Sequence, residues 1–351
     1  MVNPPLAVDL PKGQKMVEDL ESVYDLRFNI NYYGADYPVD SLAKRMEDES
    51  ILIPAFQRQY VWKPREASRF IESLLIGLPV PNIFLAIDKF SRKLLIVDGL
   101  QRLNTIRYFY KGNFPNGKKF KLKDVTHPFE GLGYDDLSMK DKLNLDNFTI
   151  HATIISESDD SNRMYHLFER LNTSGTPLRP QEIRTALYHG DFNVMLGELS
   201  HHETWRNLYG KIDNRMTDQE LILRFFAIYY DSDSFQGTLA EFLNHFMYKN
   251  RMFEFIPKKD MVKLFSETLT YISTSVGKDA FVLNKRFSSS LYDAIMFCGS
   301  KSCSSVPKDT FRRFHNEIVN DENFLSLTRS ATTSRKNIFG RIEYALQKLN
   351  I

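Results

Sequence analysis

Apolar and polar positions along the chain follow two different patterns, and the change between them lies near residue 190. Before that point, short apolar runs typical of strands alternate with segments in which apolar residues recur every three or four positions, as in helices. The pattern predicts strands over 51–54, 82–87, 94–97 and 148–155. It predicts helices over 41–48, 64–76 and 100–110, with Pro64 placed to begin one helix and Gly112 placed to end another.

After residue 190 the periodicity is helical throughout. Helices are predicted over 218–230, 239–249, 259–275, 290–297, 309–319 and 336–349. The first thirty residues carry three prolines and read as an arm with a short helix near 15–25. The predicted fold class is therefore α+β, with an arm over 1–30, an α/β domain over 31–190 and an all-α helical domain over 191–351.

Composition limits the function classes. The chain has 351 residues, is 42% hydrophobic and 13% aromatic, and carries a formal net charge of only +2. It can build real cores, and it has no global basic field. Locally, residues 111–123 hold five lysines and no acidic residue. Lys118, Lys119 and Lys121 are candidate contacts for DNA phosphates, and a solvated loop explains the same lysines.

Cysteine and histidine usage points to no metal site. Cys298 and Cys303 are the only cysteines, and their number favours a reducing compartment. His315 has no partner at metal-ligand spacing, and its helical pattern beside arginines predicts a solvated face. No segment resembles a signal peptide or reaches membrane-spanning length. We therefore expect a soluble cytoplasmic protein with no membrane partner.

The most informative segment is 97–105, where a strand, a tight turn and a helix N-terminus are predicted to meet at Asp98. Helix N-termini present unpaired N–H groups and suit phosphate. Gln101 and Arg102 add donors there. Asp98 could hold a metal ion or serve as an ordinary N-cap. The segment lacks the glycines and the Lys-Ser/Thr pair of a Walker loop.

Two further clusters flank this segment. Residues 53–62 include Gln57, Arg58, Tyr60 and Trp62 on a short extended stretch. Arg58 could converge with Arg102 on one anion, and Tyr60 or Trp62 could stack on a base. The alternative places the two aromatic residues in the core and Arg58 in solvent. The third cluster, 168–178, reads by itself as a connector between two helices.

Taken in order, these clusters resemble one known family. The residues that carry the resemblance are Gln57-Arg58-Gln59-Tyr60-Val61-Trp62, the segment 70–81, Asp98-Gly99-Leu100-Gln101-Arg102 and the segment 168–178. Over roughly residues 30–230 the chain resembles the N-terminal domain of GmrSD-type restriction endonucleases, a ParB/sulfiredoxin-like fold. The family is associated with prokaryotic defence against foreign DNA. Its Asp-Gly-Gln-Gln-Arg motif is linked to nucleotide binding and hydrolysis, often coupled to a nuclease.

The resemblance implies roles for individual residues. Asp98, Gln101 and Arg102 match catalytic positions, with Asp98 also a magnesium ligand. Nucleotide-binding positions are Gln57, Arg58, Tyr60, Gly99, Asn104 and Thr105. The implied cofactor is a nucleoside triphosphate with Mg²⁺. The implied partners are the nucleotide, DNA and a separate nuclease or modification enzyme, while the oligomeric state stays open.

The sequence departs from the family motif at Leu100, where the first Gln is usual, and at Asn104, where Thr is common. Leucine cannot hydrogen-bond a phosphate or orient a water, so nucleotide binding carries over more directly than hydrolysis. The chain also lacks the HNH motif of some members. The leading hypothesis is a nucleotide-binding effector or sensor of a defence system, with NTP hydrolysis and coupling to DNA cleavage left open. The alternatives are a non-catalytic DNA- or protein-binding module that partners a separate nuclease, and a polar network that binds nothing.

Overall fold

The N-terminal half is built on a five-stranded mixed sheet with the strand order β1-β5-β3-β4-β2. The computed structural model describes residues 31–53, 60–88, 91–156, 161–171, 178–210, 212–213 and 215–350. The strands are β1 (Tyr32–Pro38), β2 (Ile51–Leu52), β3 (Ile83–Ile87), β4 (Leu94–Asp98) and β5 (Thr149–Ile155). Strands β1 and β5 pair antiparallel, β5 and β3 parallel, β3 and β4 antiparallel, and β4 and β2 parallel.

Helices cover both faces of this sheet. One face packs against α1 (Val39–Glu47), α2 (Pro64–Leu75), α3 (Leu100–Lys111) and α4 (Met139–Asn147). The other face packs against α5 (Ser161–Leu171) and α6 (Pro180–Leu187). Burial on both sides explains why β3 and β4 are almost continuously apolar in sequence.

The second half is a bundle of helices around one large core. Its helices are α7 (Asp191–Ser200), α8 (Glu203–Tyr209), α9 (Thr217–Asp231), α10 (Leu239–Lys249), α11 (Lys258–Ser275), α12 (Ser289–Ser302), α13 (Lys308–Ile318), α14 (Glu322–Ser326) and α15 (Arg335–Leu349). A short hairpin, β6 (Val282–Leu283) and β7 (Arg286–Phe287), interrupts them. No helix in the described part of the chain is both long enough and apolar enough to cross a membrane.

The predicted fold class is confirmed: a mixed α/β region precedes a helical one. Strand β1, helices α4, α7, α8 and α14 and the β6–β7 hairpin were not predicted. The predicted arm, residues 1–30, lies outside the described residues.

The predicted solvated face for His315 is wrong. The residue is only 5% exposed, and its Nε2 lies 2.9 Å from the Ala280 carbonyl oxygen. Burial lowers the pKa of His315, which favours the neutral ring. His315 is therefore a packed core residue that ties α13 to the segment before the hairpin.

Candidate functional site

The turn after β4 requires glycine at position 99. Gly99 is the N-cap of α3 and has a φ of 100°, in the left-handed region. A Cβ atom there would lie 2.6 Å from Cγ2 of Ile83, which is closer than packed atoms approach. The interpretation of Asp98 as an N-cap is therefore wrong, since the cap position belongs to Gly99 and Asp98 ends the strand.

Arg102 is held by its own turn. Its Nη2 donates to Oδ2 of Asp98 at 2.6 Å, and its Nη1 donates to the carbonyl oxygens of Pro81 and of Asn82, the latter at 2.8 Å. The side chain is 12% exposed. Burial lowers the pKa of Arg102, and the Asp98 carboxylate opposes that shift. The guanidinium thus fastens the Asp98 turn to the residues that enter β3.

Two other polar residues of α3, Gln101 and Thr105, hold the segment 60–62 against the helix. The backbone N–H of Val61 donates to Oε1 of Gln101 at 3.0 Å. The Thr105 hydroxyl donates to the Gln101 carbonyl oxygen, so the Tyr60 hydroxyl, 2.8 Å from Thr105 Oγ1, is the donor in that contact. Burial raises the pKa of Tyr60 to about 12, which keeps this proton in place. Gln101 and Thr105 therefore position residues 60–62.

Two of these residues, Tyr60 and Trp62, line a cavity of about 840 Å³. Four aromatic residues line the cavity, and we call them the aromatic wall: Tyr60, Trp62, Tyr108 and Phe114. The rings of Tyr60 and Tyr108 meet edge to face with centroids 5.1 Å apart. Trp62 makes a similar contact with Phe70 at 5.6 Å. We call this cavity the Tyr60–Lys123 groove.

Four lysines also line the groove: Lys118, Lys119, Lys121 and Lys123. Lys121 forms an ion pair with Asp136. Within the described residues the other three ammonium groups have no acidic partner within 4.0 Å. The backbone that carries them is fixed, because Phe114 N–H donates to the Lys118 carbonyl and Lys123 N–H donates to Ser68 Oγ.

The structure brings the candidate residues together in two groups. Asp98, Gly99 and Arg102 form the turn, and Tyr60, Gln101 and Thr105 form the hydrogen-bonded chain beside the groove that holds Lys118, Lys119 and Lys121. Asn104 is buried, and its Oδ1 has no hydrogen-bond partner among the described residues. Gln57, Arg58 and the loop 172–177 lie outside the described residues, so the convergence of Arg58 and Arg102 stays a prediction.

Sequence reasoning did not single out Tyr108 or Phe114 as site residues, and it included Lys123 only as part of the lysine-rich segment 111–123. A signal for Tyr108 was present, because Gln101, Thr105 and Tyr108 stand at i, i+4 and i+7 and share one helical face. Among the described residues, no cluster of three or more His, Cys, Asp or Glu side chains could hold a metal ion. A magnesium ion at Asp98 needs no such cluster, since Mg²⁺ often takes one carboxylate plus phosphate and water.

One known protein family matches the part of the chain that contains the Asp98 turn and the groove. Residues 39–189 match the model of the family described as GmrSD restriction endonuclease, N-terminal domain. Less than half of the chain is thus similar to the N-terminal domain of that family, and we call residues 39–189 the GmrSD-type domain. The matched range includes both the Asp98 turn and the Tyr60–Lys123 groove, and it ends close to the point where the helical bundle begins. No curated protein matches the chain.

Proposed function

We propose that this protein acts on DNA in a restriction-type defence system, and that its GmrSD-type domain contacts nucleic acid at the Tyr60–Lys123 groove. The family supplies the link to restriction. The observation that carries the location is the composition of this cavity, because three lysines without acidic partners among the described residues line it together with four aromatic rings.

The charge distribution supports this location. With a net charge of only +2, the chain as a whole offers little long-range attraction to DNA. Binding must then come from a local cluster that neutralises phosphates and releases their counterions. Lys118, Lys119 and Lys123 are exposed and close together in sequence, so they supply such a cluster.

The test is DNA binding measured by fluorescence anisotropy at several salt concentrations. For the Lys118→Glu/Lys119→Glu variant we expect weaker binding and a log–log salt slope reduced by about 0.9 for each lost phosphate contact. Lys140→Glu is the matched control, because Lys140 is an exposed lysine of the same domain that lies on α4, outside the groove. Equal salt slopes for the wild type and both variants would rule out the groove as the contact surface.

A nucleoside triphosphate with Mg²⁺ is the second candidate ligand, and the Asp98 turn favours it. The Asp98 side chain is 25% exposed beside the N-terminus of α3, where N–H groups suit phosphate. A phosphate that reaches Arg102 has to compete with the Asp98 carboxylate and two carbonyl oxygens. We therefore propose binding with slow hydrolysis, and a separate nuclease or modification enzyme as the partner that alters DNA.

Leu100 offers the test of the hydrolysis proposal. Positions 100 and 101 are about 100° apart on a helix, so Gln101 cannot take the place of the glutamine that the family motif usually has before it. Leu100→Gln should raise phosphate release at saturating nucleotide more than it raises affinity. Asp98→Asn, which keeps an acceptor for Arg102, should weaken magnesium-dependent binding. Fast hydrolysis that survives Asp98→Asn would place the chemistry elsewhere, and an absence of nucleotide affinity would remove this candidate.

A further inference from the structure

We propose that the Tyr60–Lys123 groove binds an unpaired nucleic-acid strand, with bases on its aromatic wall and phosphates on its lysines. This inference rests on the proposed function, that the GmrSD-type domain contacts DNA, and it names the form of nucleic acid recognised. In this proposal Gln101 and Thr105 hold the aromatic wall in position.

The aromatic wall is the first argument. In a duplex the base faces are covered by their neighbours, and proteins reach base edges in the grooves. Ring faces become available only when a nucleotide is unpaired, and they then stack on aromatic side chains. The groove concentrates four such side chains in one cavity of about 840 Å³. That volume is typical of small-molecule pockets and suits one or two nucleotides.

The rings are arranged so that stacking surface remains. Trp62 meets Phe70 edge to face, and Tyr108 meets Tyr60 in the same way, so neither ring is sandwiched by these contacts. Both side chains are half-buried and line the cavity. Phe114 differs, because it stacks on Phe120 with centroids 4.1 Å apart and one of its faces is covered. Trp62 and Tyr108 are thus the expected stacking residues.

Three of the groove lysines alternate with buried apolar residues along the chain. Phe120 and Leu122 are buried, at 1% and 0% exposure, while Lys119, Lys121 and Lys123 alternate with them on the open side. Alternation of this kind is the side-chain pattern of extended backbone, which sets one charge every second residue. Lys121 is already paired with Asp136, so Lys119 and Lys123 are the charges of this row that remain for the phosphates of a strand whose bases point into the cavity.

The positioning role follows from the hydrogen bonds. Gln101 accepts from Val61 N–H, and Thr105 accepts from the Tyr60 hydroxyl, so α3 fixes the two residues that precede Trp62. The hydrogen bonds of these two side chains are with Tyr60 and Val61, and neither side chain is among the residues that line the groove. Thr105→Ser should keep strand affinity and Thr105→Val should lower it, because only serine retains the hydroxyl that Tyr60 needs.

The experiment compares a fluorescently labelled mixed-sequence single-stranded DNA with its duplex, using the full chain. We expect the single strand to bind at least about ten-fold tighter, and Trp62→Leu or Tyr108→Leu to weaken it by about five-fold to a hundred-fold. Trp62→Phe, which keeps a ring, should restore most of the affinity. Tyr33→Leu is the matched control, since Tyr33 is an exposed aromatic residue on β1, the edge strand of the same sheet, and lies outside the groove.

Thermal unfolding of each variant identifies any loss of fold. If Trp62→Leu does not fold, Tyr108→Leu tests the stacking contribution in its place. A strand that carries abasic sites should lose the aromatic contribution and keep the salt dependence. Equal affinity for duplex and single strand, with no effect of Trp62→Leu or Tyr108→Leu, would overturn this inference and leave the proposed function standing. Free nucleoside triphosphate that competes at the affinity of the strand would also overturn it. An absence of binding to either DNA form would instead overturn the proposed function.

Discussion

At the scale of single residues, the two charged side chains of the Asp98–Arg102 motif bind each other. Asp98 ends β4 and Arg102 lies in the first turn of α3; the sequence analysis placed both at one site, with Arg102 as a phosphate donor, and did not predict their ion pair. The other two partners of Arg102 are carbonyl oxygens twenty and twenty-one residues upstream, and no local pattern indicates them. For this reason the sequence located the motif but did not show that the Arg102 guanidinium is already hydrogen-bonded within the protein.

Arg102→Ala should destabilise the protein even in the absence of nucleotide. The substitution removes three hydrogen bonds from a guanidinium that is 12% exposed and leaves Asp98 without its partner. We expect a loss of about 1.5–3 kcal/mol in the free energy of unfolding, the scale of a hydrogen bond to a charged group. Urea unfolding measures it, with the exposed Arg69→Ala on α2 as the control. An unchanged urea midpoint for Arg102→Ala would show that the hydrogen bonds of Arg102 contribute no stability.

Gly99→Ala should cost more than Gly77→Ala. Both glycines have positive φ angles, 100° and 78°, so each substitution carries the left-handed penalty of about 1–2 kcal/mol. A Cβ at Gly77 meets no atom within 4 Å, whereas a Cβ at Gly99 overlaps Ile83. The overlap should add about 1–3 kcal/mol, as overpacking does. Thermal or urea unfolding of the two variants isolates this difference, and equal costs would mean that Ile83 moves aside freely.

At the scale of elements, prediction succeeded where local signals were strong. Helix α2 begins at Pro64 as predicted, and α10 was predicted with its observed bounds. Strand β1 was missed because it is an edge strand with mostly exposed side chains, so it shows no apolar alternation. The β6–β7 hairpin was missed because two-residue strands carry no periodicity at all.

The junction of α14 and α15 should lose stability in acid. Asp321 accepts from the N–H groups of Asn323 and Phe324 at the start of α14, and it binds Tyr344 and Lys348 of α15. These hydrogen bonds lower the pKa of Asp321 to about 2. A folded-state pKa below the unfolded one means that the stabilisation is complete above about pH 4 and disappears as pH falls towards 2.

NMR titration of the Asp321 carboxyl measures this pKa directly. The Asp321→Asn variant should show a smaller loss of stability than the wild type between pH 4 and pH 2, since it has no proton to take up there. A carboxyl that titrates near its ordinary value of 3.8 would contradict the proposed hydrogen bonds to Tyr344 and Lys348.

At the scale of the whole molecule, a buried polar network joins the sheet domain to the helical bundle. Arg184 of α6 is 1% exposed and donates to Asn244 of α10 and Glu220 of α9, each at 2.8 Å. Asn244 in turn donates to Asn162 of α5. Sequence periodicity separates the two halves near residue 190 but says nothing of how they are joined, because every partner here is distant in sequence. We expect these hydrogen bonds to couple the unfolding of the two halves.

Arg184→Met should uncouple the unfolding of the two halves. Methionine keeps an apolar stem under Tyr165 but leaves Glu220 and Asn244 without their donor. Breaking a buried pair in this way costs about 3–5 kcal/mol. The sequence has only two tryptophans, Trp62 in the GmrSD-type domain and Trp205 in the bundle core, so Trp205→Phe and Trp62→Phe backgrounds report on each half separately.

In the wild type the two probes should unfold at one urea concentration, and in Arg184→Met they should separate. Arg329→Met is the control, because the Arg329–Glu322 pair is exposed and exposed pairs contribute about 0–1 kcal/mol. Asn244→Ala, combined with Arg184→Met in a double-mutant cycle, should give a coupling energy of about 0.5–3 kcal/mol. Coincident transitions in the Arg184→Met variant would show that apolar packing alone couples the halves and that the polar network is dispensable for their cooperation.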